Sequence, residues 1–367
     1  MTLRVGIISA AWGGFAHLPA WRSIPGIEVT AICTSRRETA EAAAARLGIA
    51  RPFWNAEEMC ADPDIDILDV GTRPILRRPW VITALRNGKH VYNAVPHAAD
   101  WESAKAINEA WRASNSIGVA DAFSEWLPAH RLMKQHIDEG KLGQPFGGTC
   151  HFNLSLFNTP NRHFPYNWFA QGGQGVSAIR NNGSHALHAL IYLFGPIAEV
   201  VADDRQLLGQ WVFPDGEAIT PETNDYASAM VRFESGLTIQ LRISWSMSVA
   251  DGWLIDVFGS KGRLVAQSPS FPTVRDCTLK YGALGGNLET VEIPREMATP
   301  PGGSLGWDYE LQPSVGMALS MHNMLQAIKG EAKAAPDFAQ AFEVERVQEA
   351  IRRSSAERRW VRISEVA

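Results

Sequence analysis

Over the first third of the chain, short apolar runs alternate with amphipathic or Ala-rich stretches. RVGIIS (4–9), EVTAIC (28–33), DIDILDVGT (64–72), HVYNAV (90–95) and SIGVADAF (116–123) read as five strands. Between them, HLPAWRSIPG (17–26), SRRETAEAAAARLG (35–48), PWVITALRNGK (79–89) and DWESAKAINEAWRASN (100–115) read as helices. The second of these begins with Ser35 and Glu38 at capping-box spacing and stops at Gly48. Strands that are apolar at nearly every position suit a sheet buried on both faces. Their alternation with helices predicts a doubly wound parallel sheet.

The rhythm changes near residue 125. AHRLMKQHIDEGKLG (129–143) is one more helix, and GGTCHFNLSLF (147–157) alternates as a strand does. A polar, aromatic loop runs from 158 to 175, and SHALHALIYLFG (184–195) follows as an apolar helix. Gly-bearing turns in YASAMVRF-ESG-LTIQLRISW and WLIDVFG-SKG-RLVAQ then predict two hairpins. SMHNMLQAIKG (320–330) and FAQAFEVERVQEAIRRSS (338–355) read as helices, and RWVRI (359–363) as a last strand. The pattern predicts two domains, 1–125 and 126–367, the second being α+β with a mainly antiparallel sheet.

Composition narrows the class little. With 367 residues, 46% hydrophobic and 20% charged, the chain can bury a sizeable core. A net charge of -5 argues against nucleic acid or an anionic membrane as partner. No run of 18 apolar residues is present, and the N-terminus lacks a secretory pattern, so a cytosolic protein is expected. Cys33, Cys60, Cys150 and Cys277 are isolated from one another. They predict reduced, buried thiols, and neither they nor the histidines show metal-ligand spacing.

Chemistry is expected at the strand ends. The first strand-to-helix turn carries Ser9, Ala11 and Gly14 at the three positions of a GxGxxG motif. Only the third is glycine, yet small residues leave the helix start open to an anion. The second strand runs into Thr34, Ser35, Arg36 and Arg37, with no acid before Glu38. Two arginines in place of a ribose-binding acid predict a 2′-phosphate, hence NADP(H) over NAD(H). The stretch VYNAVPHAAD (91–100) occupies another such end but offers no lysine, and no acid before Asp100.

Taken together, VGIIS…G…HLPA, DPDIDILDVGT, ALRNGKHVY, IDEGKLGQP, NNGSHALHALIYLFGP and VFGSKGRLV resemble the Gfo/Idh/MocA oxidoreductases over nearly the whole length. The resemblance implies an N-terminal Rossmann-type domain and a C-terminal domain with a large open sheet that commonly carries dimer or tetramer contacts. It implies hydride transfer with NAD(P) on sugars, inositols and related cyclic alcohols. Some members are redox-neutral NAD-dependent glycosidases, and a few are non-catalytic sensors. Two departures stand out. The family's Glu-Lys-Pro falls on Ala94-Val95-Pro96, and its Asp-x-x-x-His falls on Asn181 to His185, with a later aspartate replaced by His188.

The resulting expectation is an NAD(P)-dependent oxidoreductase acting on a sugar-like or cyclic substrate, as a homodimer or homotetramer. His185 is the expected acid/base, with Asn181 and Tyr166 orienting the substrate or donating a proton. The cofactor is expected on Ser9, Ala11, Trp12, Gly14, Thr34, Ser35, Arg36, Arg37, Thr72, Arg73, Asn93, Val95 and Pro96. His97, Trp168 and Arg180 are the substrate-binding candidates.

Overall fold

The computed structural model describes residues 2–161 and 166–367. The chain forms two compact units, Met1–Trp126 with Arg295–Phe342, and Leu127–Pro294 with Glu343–Ala367.

In the first unit, β1 (Leu3–Ile8), β2 (Ile27–Cys33), β3 (Arg51–Phe53), β4 (Ile67–Val70), β5 (His90–Asn93) and β6 (Gly118–Ala120) form one parallel sheet in the order β3-β2-β1-β4-β5-β6. The order reverses direction between β1 and β4, which defines the switch point where such sheets bind ligands, at the carboxyl ends of the strands. β1, β4, β5 and β6 are buried almost throughout, which is why they read as unbroken apolar runs. β3 is only three residues long, too short for a periodic signal, and it went unseen in the sequence.

The helices of this unit are α1 (Leu18–Arg22), α2 (Arg37–Leu47), α3 (Ala56–Ala61), α4 (Pro74–Arg86) and α5 (Trp101–Arg112). α1 is preceded by a π-helical turn, Gly13–His17, where the sequence reading began the helix at His17. The expected capping box at Ser35 does not form. α2 starts two residues later with Arg36 as its N-cap and no side-chain cap. The neighbouring hydroxyls of Thr34 and Thr39 bond each other at 2.6 Å, and Thr39 Oγ1 also reaches Arg36 O at 2.9 Å. Gly48 closes the helix at φ 62°, a conformation in which glycine carries no penalty.

The second unit begins with α6 (Pro128–Asp138) and β7 (Pro145–Asn153), then the short α7 (Tyr166–Phe169) and α8 (Asn182–Phe194). The remaining strands are β8 (Ile197–Arg205), β9 (Trp211–Val212), β10 (Ala218–Ile219), β11 (Tyr226–Phe233), β12 (Thr238–Ser244), β13 (Gly252–Gly259), β14 (Gly262–Ser268), β15 (Thr278–Ala283), β16 (Glu289–Val291) and β17 (Val361–Arg362). Nine of the unit's strands form one sheet, ordered β16-β15-β14-β13-β7-β12-β11-β8-β17, and β9 pairs with β10 alone. All neighbours in the large sheet are antiparallel except β7 with β12. α8 packs on β7 and β12, and its residues 182–190 are all buried.

The chain then re-enters the first unit, which corrects the expected boundary at 126–367. α9 (Gln312–Ile328) packs against α1 and the π-helical turn, and α10 (Phe338–Glu357) starts in the first unit and continues into the second. The physical reason is apolar burial. Val315, Ala318 and Met321 of α9 are fully enclosed, and Phe338 lies so close to Gly118 that a Cβ there would meet its ring at 2.6 Å.

Candidate active site

The first turn keeps a glycine-like backbone without its first glycine. Ser9 has φ 152°, outside the range L residues favour, which costs on the order of 1–3 kcal/mol. Its Oγ accepts from Ala11 N at 3.2 Å, so the serine side chain partly supports its own turn. Ala11 and Trp12 are exposed, whereas Gly13 and Gly14 are buried. A Cβ at Gly13 would meet Ile7 Cγ2 at 2.7 Å, and one at Gly14 would meet Leu47 Cδ1 at 3.0 Å. The glycines that remain therefore serve packing of the turn on β1 and α2. The residues facing solvent are small or aromatic. Such an exposed turn at the switch point fits a dinucleotide pyrophosphate.

At the end of β2 the two arginines differ. Arg37 pairs with Glu41 at 2.8 Å and lies over the Trp54 ring at 5.1 Å. Arg36 is exposed, and its guanidinium makes no ion pair among the described residues. Thr34 Oγ1 bonds Arg36 O at 3.1 Å, and Ser35 is exposed.

Thr72 and Arg73 follow β4, and Asn93 ends β5 with Ala94 to Pro96 beyond it. Arg77 on α4 ties these two ends together. It is 3% exposed and donates to Thr72 O at 2.6 Å, to Ala94 O at 2.5 Å and to Pro96 O. Its position on α4 fixes both ends with one guanidinium, a role its place in a polar-looking segment did not reveal. Val95, half-buried, is the most exposed side chain between Val91 and Ala99 besides His90's edge of the strand. The opening at this turn is thus apolar. Asn93 donates to His97 Nδ1 at 3.0 Å and to His97 O at 2.7 Å. His97 is buried edge-on to Phe338 at 4.5 Å. Burial and the nearby Arg77 guanidinium push its pKa down to about 3, so it stays neutral. The geometry commits His97 to the interior of the first unit.

One buried cluster escaped the sequence reading. His17 is wholly enclosed, with Nδ1 at 2.9 Å from both Asp69 oxygens and Nε2 at 3.1 Å from Asp121 Oδ2. Trp21 Nε1 donates to Asp69 at 2.7 Å, and Tyr92 Oη donates to Asp121 at 2.7 Å. Burial pushes the imidazolium of His17 down, but the two acids outweigh it and lift its pKa to about 10. The signal in the sequence was an acid inside each of two apolar strand readings, DILDVG and GVADAF.

In the second unit, α8 presents Asn181, His185 and His188 at helical spacing on one side. Asn181 is the N-cap residue and makes no side-chain cap bond. His185 is 7% exposed and meets Phe271 edge-on at 5.6 Å, and His188 is buried. The start of α8 is held by α10. Arg180 pairs with buried Glu345 at 2.8 Å and donates to Gly175 O at 3.0 Å. Gln348 donates to Ile179 O at 3.1 Å and Ser184 Oγ at 2.9 Å. Arg180 is thereby engaged in fixing the helix that carries His185. Trp168 is half-buried against Phe169, with ring centroids 4.3 Å apart. The Tyr166 side chain lies outside the described residues. Among the described residues, no group of three or more His, Cys, Asp or Glu is placed to hold a metal.

A parallel sheet of order 3-2-1-4-5-6 with an open first turn defines a dinucleotide-binding protein, and a second unit presenting a histidine on a buried helix fits the oxidoreductases built on that plan. Residues 3–120 match the model of an oxidoreductase family with an NAD-binding Rossmann fold, and residues 130–265 match the GFO/IDH/MocA C-terminal domain. The chain belongs to the Gfo/Idh/MocA oxidoreductase family. It is 24% identical to levoglucosan dehydrogenase of Pseudarthrobacter phenanthrenivorans, covering 100% of this chain and 99% of that one. It is 32% identical to 1,5-anhydro-D-fructose reductase of Ensifer adhaerens over 66% of this chain and 69% of that one. An NAD binding oxidoreductase from Klebsiella pneumoniae superposes with a TM-score of 0.87 at 26% identity, covering 99% of each chain.

Proposed function

We propose that this protein transfers a hydride between a nicotinamide cofactor and a secondary alcohol or ketone on a sugar-like or cyclic substrate. The observation that carries the proposal is His185. The resemblance implies the acid/base position for it, and the start of its helix α8 is fixed by Arg180–Glu345 and Gln348. A histidine so placed suits exchange of a hydroxyl proton near neutral pH. Asn181, one turn earlier, supplies an amide to orient a substrate hydroxyl, and Tyr166 and Trp168 are proposed to flank it. The names of the relatives support a carbohydrate substrate.

The cofactor is assigned to the turn at Ser9, Ala11, Trp12 and Gly14, to Thr34–Arg37, and to Thr72, Arg73, Asn93, Val95 and Pro96. When bound, its nicotinamide gives or takes the hydride, and the protein supplies position and proton handling. The uncommitted guanidinium of Arg36 favours NADP(H). The absence of a lysine at Val95 favours a second reading, a redox-neutral reaction in which the hydride is lent and returned. The wide sheet of the second unit, with exposed Phe146 and Phe258, supports association of copies as a dimer or tetramer. Four buried free cysteines, and no helix among the described residues long and apolar enough to cross a membrane, suit a cytosolic setting.

The test is His185→Ala. Loss of a general acid/base predicts turnover down by about 100-fold or more, with NAD(P)H affinity within about threefold of the parent. Near-parental turnover in a folded variant removes His185 from the chemistry.

A further inference from the structure

The cofactor turn of this protein lacks two of the glycines that normally shape it, and Ser9 sits at φ 152°. Something else must hold the turn open. The π-helical turn Gly13–His17 ends in His17, whose ring bridges Asp69 on β4 and Asp121 beyond β6. Asp69 also accepts from Trp21, and Asp121 from Tyr92 on β5. The ring lies directly beneath the turn after β4, since a Cβ on Gly71 would sit 3.4 Å from His17 Cε1. Ser314 of α9 holds the same segment from outside, donating to Ala16 O at 2.8 Å. The cluster therefore joins the segment after β1 to the ends of β4, β5 and β6, on both sides of the switch point.

Two carboxyl groups face one imidazole. A neutral imidazole has a single N–H and can donate to one of them, whereas the imidazolium donates to both. A fully buried acceptor left without its donor is strongly disfavoured. With both acids ionised, the charged ring is the form that donates to each of them.

We propose that His17, held as an imidazolium between Asp69 and Asp121, is a positioning residue for the dinucleotide: it fixes the first turn from its buried side in place of the missing glycines. It touches no cofactor atom in this assignment, and it acts through the backbone of Ala10–Trp12. The proposal rests on the reading of that turn as the cofactor site. The titratable groups facing the ring are Asp69, Asp121 and Tyr92. On the other elements packed here, Arg4 of β1 is taken up by Asp64 and Asp66, Arg22 of α1 by the carbonyls of Leu47 and Gly48, and α9 contributes only His322.

Because the folded pKa of His17 is raised to about 10 from 6.5, what the clamp contributes is complete below pH 6.5 and declines as pH rises through 10. Replacing Asp121 by Asn removes one of the opposing charges while burial persists, so the ring should lose its proton at lower pH. The experiment measures NADH and NADPH affinity from pH 6 to 9 by nucleotide fluorescence, for the parent and for Asp121→Asn and Asp69→Asn. The parent is expected to vary by less than about twofold. The variants are expected to bind within about threefold of the parent at pH 6 and at least about tenfold more weakly at pH 9. Folded variants with flat, parental affinity overturn the proposal. Should neither variant fold, the nitrogen-15 spectrum of the parent's histidines decides. Two ring N–H signals from His17 at pH 8 that shift when NADH is added support the clamp, and a neutral or unresponsive ring overturns it. A parent that binds neither nucleotide at any pH defeats the cofactor-site reading itself, which separates the two failures.

Discussion

Arg36 and Arg37 are adjacent in sequence but unlike in their commitments. Arg37 is tied to Glu41 and stacked near Trp54, while Arg36 presents a guanidinium with no ion-pair partner among the described residues. A charge-assisted contact to a 2′-phosphate should therefore come from Arg36. Arg36→Ala is expected to weaken NADPH binding by about tenfold or more and to leave NADH within about twofold. Arg37→Ala is expected to change both by less than about threefold, because an exposed pair contributes little. Nucleotide titration checks both, and equal losses for NADPH and NADH at Arg36 would remove the phosphate contact. The residue scale is also where the sequence was least transparent. That Val95 falls where the resemblance implies a lysine was legible from its neighbours. That His97 is neutral and enclosed, and that Arg180 is paired with Glu345, depended on partners far away in the chain. Asp69 and Asp121 fall inside apolar strand readings, and nothing local connects them to His17, 52 and 104 positions away.

At the scale of elements, the alternating apolar runs gave β1, β2, β4, β5 and β6 their places, and the two Gly turns gave the hairpins β11–β12 and β13–β14. The β3 strand and the short α3 were missed because three to six residues carry no usable period. The reach of α9 and α10 was legible as helix but not by unit, since an apolar stripe does not name the surface that covers it. Phe338 shows what decides that question. Its ring fills the space over Gly118, and any side chain there must displace it. Gly118→Ala is expected to destabilise the first unit by about 1–3 kcal/mol through overpacking. Thermal unfolding would show a lower midpoint. An unchanged midpoint would mean that the start of α10 is not part of this core.

At the scale of the whole molecule, the first unit carries the turn proposed for the cofactor, and the second carries a histidine on a braced, buried helix. The missing lysine at Val95 leaves net redox transfer and a lent-and-returned hydride as the two outcomes to separate. The most direct measurement follows deuterium from NADPH or NADH labelled at nicotinamide C4 during turnover on a panel of sugars and cyclic ketones. Net transfer predicts one cofactor oxidised per product and deuterium on a substrate ring carbon. Product formed with no net oxidation of the cofactor would contradict it and establish the redox-neutral alternative.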